Sequence, residues 1–261
     1  MRIEKTTFQS AGFKLTGEFV LPNRLEAPLP AVILLHGLTN SKNDCPLINE
    51  TSEALVKNGL IVFRFDQYGS GESPGEMQDK TITMLEQNLK DAIEFVAKDK
   101  RVDKNKIGLW GRSLGGTLVC LIPNDKRIKA RVVASPGTMF ESTANKKLEE
   151  LKRKEIELEK VGKKLPGTGN YKGPFDFKPE FYKSMNGLDE RVFNNLRNLN
   201  TILILGTALD QKVTPENACI VMNEAKEPKR IWIYMTDHDY AGFEKEAVEE
   251  TAKWFKQYLF Q

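Results

Sequence analysis

The chain has 261 residues, of which 40% are hydrophobic and 29% are charged, as expected for one large globular domain. Its formal net charge of +3 equals the basic excess of a single mixed-charge segment, 146–164, so a nucleic-acid-binding surface is not indicated. The longest apolar runs, such as AVILL at 31–35, are too short to span a bilayer, and the N-terminal segment lacks the apolar core of a signal peptide.

Strand and helix patterns alternate from the N-terminus. Residues 2–8 and 13–20 alternate in polarity and predict an antiparallel hairpin. The patterns that follow predict strand 31–35, helix 51–58, strand 60–65, helix 81–97, strand 106–110, helix 114–122 and strand 129–134. Several of these strands are continuous apolar runs, which is typical of strands buried on both faces of a parallel sheet.

The alternation is interrupted after Met139 and then resumes. The segment 141–162 is charged and helix-prone, and 163–177 is rich in Gly, Pro and aromatic residues. Beyond it the patterns predict strand 201–206, helix 215–225, strand 230–235 and helix 243–258. We therefore predict an α/β fold with a parallel sheet covered by helices on both faces. Residues 1–137 and 193–261 would form the core domain, and 138–192 an inserted cap.

Two segments fit the pattern G-x-S-x-G of a nucleophile elbow, GESPG at 71–75 and GRSLG at 111–115. An elbow needs a strand before the serine, a helix after it and a backbone N–H on the next residue to stabilise an oxyanion. Ser73 is followed by Pro74, which has no N–H, and by no apolar helix. Ser113 follows a predicted strand, precedes a predicted helix and is followed by Leu114. The sequence predicts Ser113 as the nucleophile.

A serine nucleophile needs a base, and the chain has only two histidines, His36 and His238. In elbow-type hydrolases the order along the chain is Ser, acid, His, and only His238 follows Ser113 with room for an acid between them. Asp210 follows a predicted strand, at the sheet edge where sites collect. Asp237 and Asp239 adjoin His238 in sequence, where a side chain can seldom turn back to bond the ring, so we expect them to shape the loop.

His36 ends the strand 31–35, where the second oxyanion donor is expected. We assign that donor to the backbone N–H of Leu38, with the N–H of Leu114 as the first donor, and expect the His36 side chain to brace the loop. The predicted site needs no cofactor. The few histidines and the spacing of the three cysteines also argue against a metal site.

These motifs, taken in order, resemble the α/β-hydrolase superfamily of serine hydrolases: His36-Gly37, the segment around Ser113, GTALDQKVTP and the late His238. More narrowly, LLHGLTNSKND, GLIVFRFDQYGSGESPG and the inserted cap are similar to bacterial cinnamoyl/feruloyl esterases and related carboxylesterases. The resemblance implies a mostly parallel central sheet and a triad of Ser113, Asp210 and His238 that hydrolyses carboxylic esters. One position departs from it, since Arg112 stands where relatives often have His. We expect Arg112 to pack beside the site, or to favour anionic acyl groups.

The predicted cap is dense in aromatic residues that could enclose an acyl group or simply pack the cap onto the body: Tyr171, Phe175, Phe177, Phe181 and Tyr182. Other small-molecule reactions fit the same triad, namely those of a monoacylglycerol lipase, a thioesterase or an acyl-aminopeptidase. A non-catalytic binding protein of this fold is a further alternative. The three cysteines form no disulfide framework, so the sequence favours a cytoplasmic location. It does not specify an oligomeric state.

Overall fold

The computed structural model of the protein describes residues 1–25, 28–160 and 177–261. Its eight strands are β1 (Arg2–Ser10), β2 (Phe13–Leu21), β3 (Leu29–Leu35), β4 (Ile61–Phe65), β5 (Val102–Arg112), β6 (Ile128–Ala134), β7 (Ile202–Thr207) and β8 (Lys229–Tyr234). They form one sheet in the order β1-β2-β4-β3-β5-β6-β7-β8. The hairpin β1–β2 is antiparallel and β2 also pairs with β4 in antiparallel fashion, whereas every pair from β4 to β8 is parallel.

Helices cover both faces of this sheet. They are α1 (Pro46–Lys57), α2 (Ile82–Ala97), α3 (Leu114–Leu121), α4 (Glu141–Lys160), α5 (Pro179–Lys183), α6 (Leu188–Leu196), α7 (Pro215–Glu224) and α8 (Glu244–Leu259), with a short 3-10 helix at Met77–Asp79. Helices α1 and α8 pack together on one face through buried residues such as Leu55 and Phe255. Helices α2, α3 and α6 cover the other face, with Leu89 and Leu118 in its core. The predicted α/β class is confirmed.

Two elements differ most from their predicted bounds: the helix predicted at 51–58 begins earlier, at Pro46, and the strand predicted at 106–110 extends over Val102–Arg112. Proline is favoured in the first turn of a helix, where its missing N–H has no partner to lose. Leu47 and Ile48 extend the buried stripe of Leu55 and Val56 by two turns toward the N-terminus, while Glu50 is exposed. The start of α1 is therefore consistent with both proline chemistry and hydrophobic periodicity.

Helices α4, α5 and α6 lie between β6 and β7, in the stretch predicted as an insertion. The boundary predicted at 192 falls inside α6, whose buried residues Leu188, Val192 and Leu196 belong to the same core as α3. Helix α6 thus packs onto the body of the protein. Within the described ranges, no helix is both long and apolar enough to cross a bilayer.

Candidate active site

Ser113 lies on the sharp turn between β5 and α3. Its backbone is in the positive-φ region, at φ 55° and ψ −125°, a conformation that costs a non-glycine residue energy and is typical of functional turns. Its N–H donates to the Ala134 carbonyl at 2.8 Å, which ties the turn to β6. A Cβ on Gly111 would lie 2.2 Å from the Gly115 carbonyl oxygen, and one on Gly115 would lie 2.6 Å from that of His36. Both glycines are required by close backbone approach.

His238 and Asp210 form a hydrogen-bonded pair in loops that follow β8 and β7. His238 Nδ1 donates to Asp210 Oδ2 at 2.6 Å, and both side chains are buried. Asp210 also accepts from the Thr207 hydroxyl at 3.0 Å and from the N–H groups of Lys212 at 2.8 Å and Val213 at 2.9 Å. Because Nδ1 carries the proton, Nε2 of the neutral ring is left as an acceptor.

The protonation of this pair suits a base at neutral pH. Burial lowers the pKa of His238 below its ordinary value, the positive charge of Arg112 adds to this effect, and the Asp210 carboxylate opposes it. Burial would raise the pKa of Asp210, but hydrogen bonds from the Val213 N–H and from His238 outweigh it and hold that pKa below its ordinary value. The stable state is therefore a neutral imidazole beside a carboxylate.

Arg112 connects the Ser113 turn to the His238 loop. Its buried guanidinium donates to the His238 carbonyl at 2.7 Å, forms an ion pair with Asp239 and contacts the Cys45 sulfur at 3.1 Å. These contacts direct its charge into the loop, so they do not support the interpretation that Arg112 binds anionic acyl groups. The sequence predicts Arg112 beside the site, but only the fold reveals that it fixes the loop that carries His238.

The loop after β3 packs against the turn that carries Ser113. A Cβ on Gly37 would lie 3.4 Å from the Ser113 Cβ, which places the Gly37–Leu38 peptide next to Ser113. His36 Nδ1 donates to the Gly37 carbonyl at 2.7 Å, while His36 Nε2 accepts from the Gln67 N–H at 3.1 Å. Burial lowers the pKa of His36 to about 4, so the ring is neutral. His36 therefore braces the loop, as the sequence predicts.

Ser73, in the second G-x-S-x-G segment, is held by the backbone. Its hydroxyl donates to the Asp66 carbonyl at 2.6 Å and accepts from the Thr16 N–H at 2.9 Å, and the residue is 8% exposed. The neighbouring Glu72 pairs with Lys42 at 2.6 Å and with Lys5 at 2.9 Å. The segment fastens the loop after β4 to β2.

The aromatic residues of the predicted cap divide into two groups. Phe177 and Phe181 are 4% and 2% exposed, stack at a ring-centroid distance of 4.2 Å and belong to the main core. For these two residues the structure favours packing of the insertion onto the body. Tyr182 is half-buried beside Phe181, and Tyr171 and Phe175 lie outside the described residues.

The described residues offer no cluster of metal ligands near this site, but they add one buried lysine to it. In the described part of the chain, no group of three or more His, Cys, Asp or Glu residues could hold a metal ion. Sequence reasoning missed Lys80, which is buried and donates to the Leu38 carbonyl at 2.9 Å. Its neighbours Asp79 and Thr81 are polar, so no local pattern predicts its burial.

The sheet order and the turn at Ser113 define an α/β hydrolase. Residues 26–173, more than half of the chain, match the family model of the serine aminopeptidases S33. The chain therefore belongs to that hydrolase family. A solved structure of Est1E from Butyrivibrio proteoclasticus with bound ferulic acid shares the fold, with a TM-score of 0.79 and 21% identity over 98% of this chain and 100% of that one.

Two curated relatives match shorter stretches. The thiohydrolase aneE of Aspergillus aculeatus is 32% identical over 134 residues, which is 51% of this chain and 40% of the relative. An uncharacterized 31.7 kDa protein of Escherichia coli is 34% identical over 104 residues, or 40% of this chain and 36% of the relative. The matched region thus spans well under half the length of these relatives.

Proposed function

We propose that the protein is a serine carboxylesterase that hydrolyses carboxylic esters through an acyl-enzyme on Ser113. The observation that carries the proposal is the buried 2.6 Å hydrogen bond between His238 and Asp210, in a loop that Arg112 joins to the Ser113 turn. A neutral imidazole oriented by an aspartate can accept the proton of a serine hydroxyl, and Arg112, next to Ser113 in the chain, donates to the backbone of the loop that carries this imidazole. The family assignment supports the same chemistry.

In the first half of the proposed reaction, Ser113 Oγ bonds to the ester carbonyl carbon and its proton passes to His238 Nε2. The oxyanion that forms accepts from the N–H groups of Leu38 and Leu114, and Asp210 stabilises the imidazolium. The carbon–oxygen bond to the alcohol then breaks, and the proton on His238 moves to the leaving oxygen. The acyl group stays on Ser113.

In the second half, water replaces the alcohol. His238 takes a proton from water while the water oxygen bonds to the acyl carbon, and the second oxyanion occupies the same two N–H groups. Collapse of this intermediate breaks the bond to Ser113 Oγ, which regains its proton from His238. The carboxylic acid leaves, and no group outside the chain is consumed except water.

The proposal extends to the acyl group of the ester. We infer an aromatic acyl group such as a cinnamoyl or feruloyl ester, supported by the fold shared with the ferulic-acid-bound Est1E structure and by the aromatic insertion at 138–192, which we propose is a cap. A thioester is the second candidate, because a thiohydrolase is among the relatives. The ester and thioester candidates are separated from the lipase and peptidase alternatives by comparing kcat/KM for four substrates: methyl ferulate, monoacylglycerols, acyl-CoA and peptide amides.

The nucleophile is tested with p-nitrophenyl acetate and butyrate on Ser113→Ala and, as a matched control, Ser73→Ala. We expect Ser113→Ala to lower kcat by about 10⁴-fold or more, because the bond-forming oxygen is lost, and Ser73→Ala to stay close to wild type. A fluorophosphonate should label the wild-type protein and Ser73→Ala but not Ser113→Ala. Loss of labelling in Ser73→Ala alone would contradict the assignment, and no turnover by the wild type on any ester or thioester would favour a binding protein.

A further inference from the structure

Lys80 is a buried lysine directly behind the loop that we assign to the oxyanion hole. It follows the 3-10 helix Met77–Asp79 and is only 1% exposed. Its Nζ donates to the Leu38 carbonyl at 2.9 Å and to the Ser70 hydroxyl at 2.6 Å. The side chain thus joins the loop after β4 to the loop after β3.

The position of this ammonium is unusual because no carboxylate of the described residues contacts it directly. Among the ion pairs of residues 1–25, 28–160 and 177–261, none includes Lys80. The carboxylate that attracts it, Asp66, is already bonded to Lys42 Nζ at 2.7 Å. Burying a charge without a partner is costly, so a function that requires the charge explains its presence better than stability does.

The two peptides that flank Leu38 are each fixed by one side chain. The Gly37 carbonyl accepts from His36 Nδ1 at 2.7 Å, and because a trans peptide points its N–H opposite to its C=O, this bond directs the Leu38 N–H the other way. The Leu38 carbonyl, on the following peptide, accepts from Lys80. Rotation of the backbone at Leu38 would break one bond or the other.

We propose that Lys80 is a positioning residue for the oxyanion hole, holding the Leu38 N–H toward Ser113 and placing a positive charge behind it. This inference rests on the proposed function of Ser113 and Leu38. A residue's carbonyl oxygen lies within about 4 Å of its own nitrogen, so the ammonium lies within about 7 Å of the proposed donor. At that range in a buried site, a fixed positive charge stabilises a developing oxyanion without touching it.

The first test compares Lys80→Met, Lys80→Arg and, as an exposed control, Lys100→Met in hydrolysis of p-nitrophenyl butyrate. A lost oxyanion donor costs about 10²–10³ in kcat, and we expect a displaced one to cost about 10- to 100-fold. The kcat of Lys80→Met should fall by this factor while its KM stays nearly unchanged. Lys80→Arg should recover part of the lost kcat, and Lys100→Met should have the kcat of the wild type. Because Lys80→Met removes a costly buried charge but also leaves the Leu38 carbonyl and the Ser70 hydroxyl without their donor, the thermal midpoint is measured to establish that kcat is compared between folded proteins.

The second test is the alkaline side of the pH profile, which a purely structural role would not affect. Burial lowers the pKa of Lys80 to about 8, and Asp66 opposes the shift. The wild-type kcat should therefore fall as pH rises through about 8, and this fall should be absent in Lys80→Arg. His36, which also faces Lys80, stays neutral throughout because its pKa is lowered to about 4, and Asp66 remains bonded to Lys42.

The outcomes separate this inference from the proposed function. If fluorophosphonate does not label Ser113 in the wild type, the proposed function fails. If the wild type is labelled and Lys80→Met matches it in labelling rate and kcat, the role of Lys80 alone is overturned. Should Lys80→Met fail to fold, the pH profiles of wild type and Lys80→Arg decide the matter, because equal alkaline limbs in the two would contradict the inference.

Discussion

The two G-x-S-x-G segments, 71–75 and 111–115, place serines of the same local pattern in opposite environments. The Ser73 hydroxyl is hydrogen-bonded to two backbone groups, the Asp66 carbonyl and the Thr16 N–H. Ser113 instead carries backbone strain, at φ 55°, and its backbone rather than its hydroxyl holds the turn through the Ala134 carbonyl. One serine is a structural connector, and the other is the one that we propose as the nucleophile.

The surroundings of the two serines differ in the same way. Around Ser73 the charged groups, Glu72 with Lys42 and Lys5, are paired with one another. Near the Ser113 turn the polar groups orient one another: Asp210 is hydrogen-bonded to His238, and Arg112 is hydrogen-bonded to the backbone of the His238 loop. We infer that the reactivity of such a motif depends on the side chains that the fold places behind it.

The largest effect should come from the carboxylate behind His238. Asp210→Asn keeps the shape of the side chain but removes the charge that fixes the His238 tautomer, and we expect kcat to fall by about 10⁴-fold. Asp237→Asn is the matched control, because Asp237 adjoins His238 in sequence, yet among the described bonds its side chain accepts only from the Asp239 N–H, at 3.0 Å. Similar losses in both variants, measured with p-nitrophenyl butyrate, would refute the special role of Asp210.

A smaller effect should follow from loosening the His238 loop at Arg112. Arg112→Met removes the bond to the His238 carbonyl and the ion pair to Asp239, and a base displaced by an ångström can cost up to about 100-fold in rate. We expect a loss of about 10- to 100-fold in kcat, partly restored in Arg112→Lys. Unchanged kcat in Arg112→Met, with thermal unfolding as the check on folding, would show that the turn alone positions His238.

The acid limb of the pH profile should also depend on the contact between Arg112 and the His238 loop. His238 has a lowered pKa and acts as a base only when neutral, so activity is present above that pKa and is lost as pH falls through it. The wild-type midpoint should therefore lie below the ordinary 6.5 of histidine. In Arg112→Met the midpoint should move upward, because the guanidinium charge that lowers the pKa is removed. A midpoint that moves downward would contradict this account.

Much of this fold could be predicted from periodicity and local chemistry. The apolar runs marked the parallel strands, and Pro74 distinguished the two serines, because a residue without an N–H cannot complete an oxyanion hole in any fold. The candidate pair Asp210 and His238 followed from their order after Ser113, and the structure brings these two side chains together.

The rest depends on contacts between distant residues, which local patterns do not encode. Lys80 and Leu38 are 42 residues apart, and Arg112 and Asp239 are 127 apart. Lysine and arginine side chains are usually found at the protein surface. Only the assembled loops show that Lys80 and Arg112 are buried. Local sequence could suggest a nucleophile, but not the side chains that hold its surroundings in place.

The smallest predicted effect is on stability and completes the comparison at Ser73. Ser73→Ala would leave the Thr16 N–H and the Asp66 carbonyl without their partner in a buried position, and we expect a loss of about 1–3 kcal/mol in the free energy of unfolding. Ser142→Ala, at an exposed position of α4, is the control and should change little in urea denaturation. If Ser73→Ala were as stable as the control, its hydroxyl would not be the connector described here, and the contrast with Ser113 would rest on Pro74 alone.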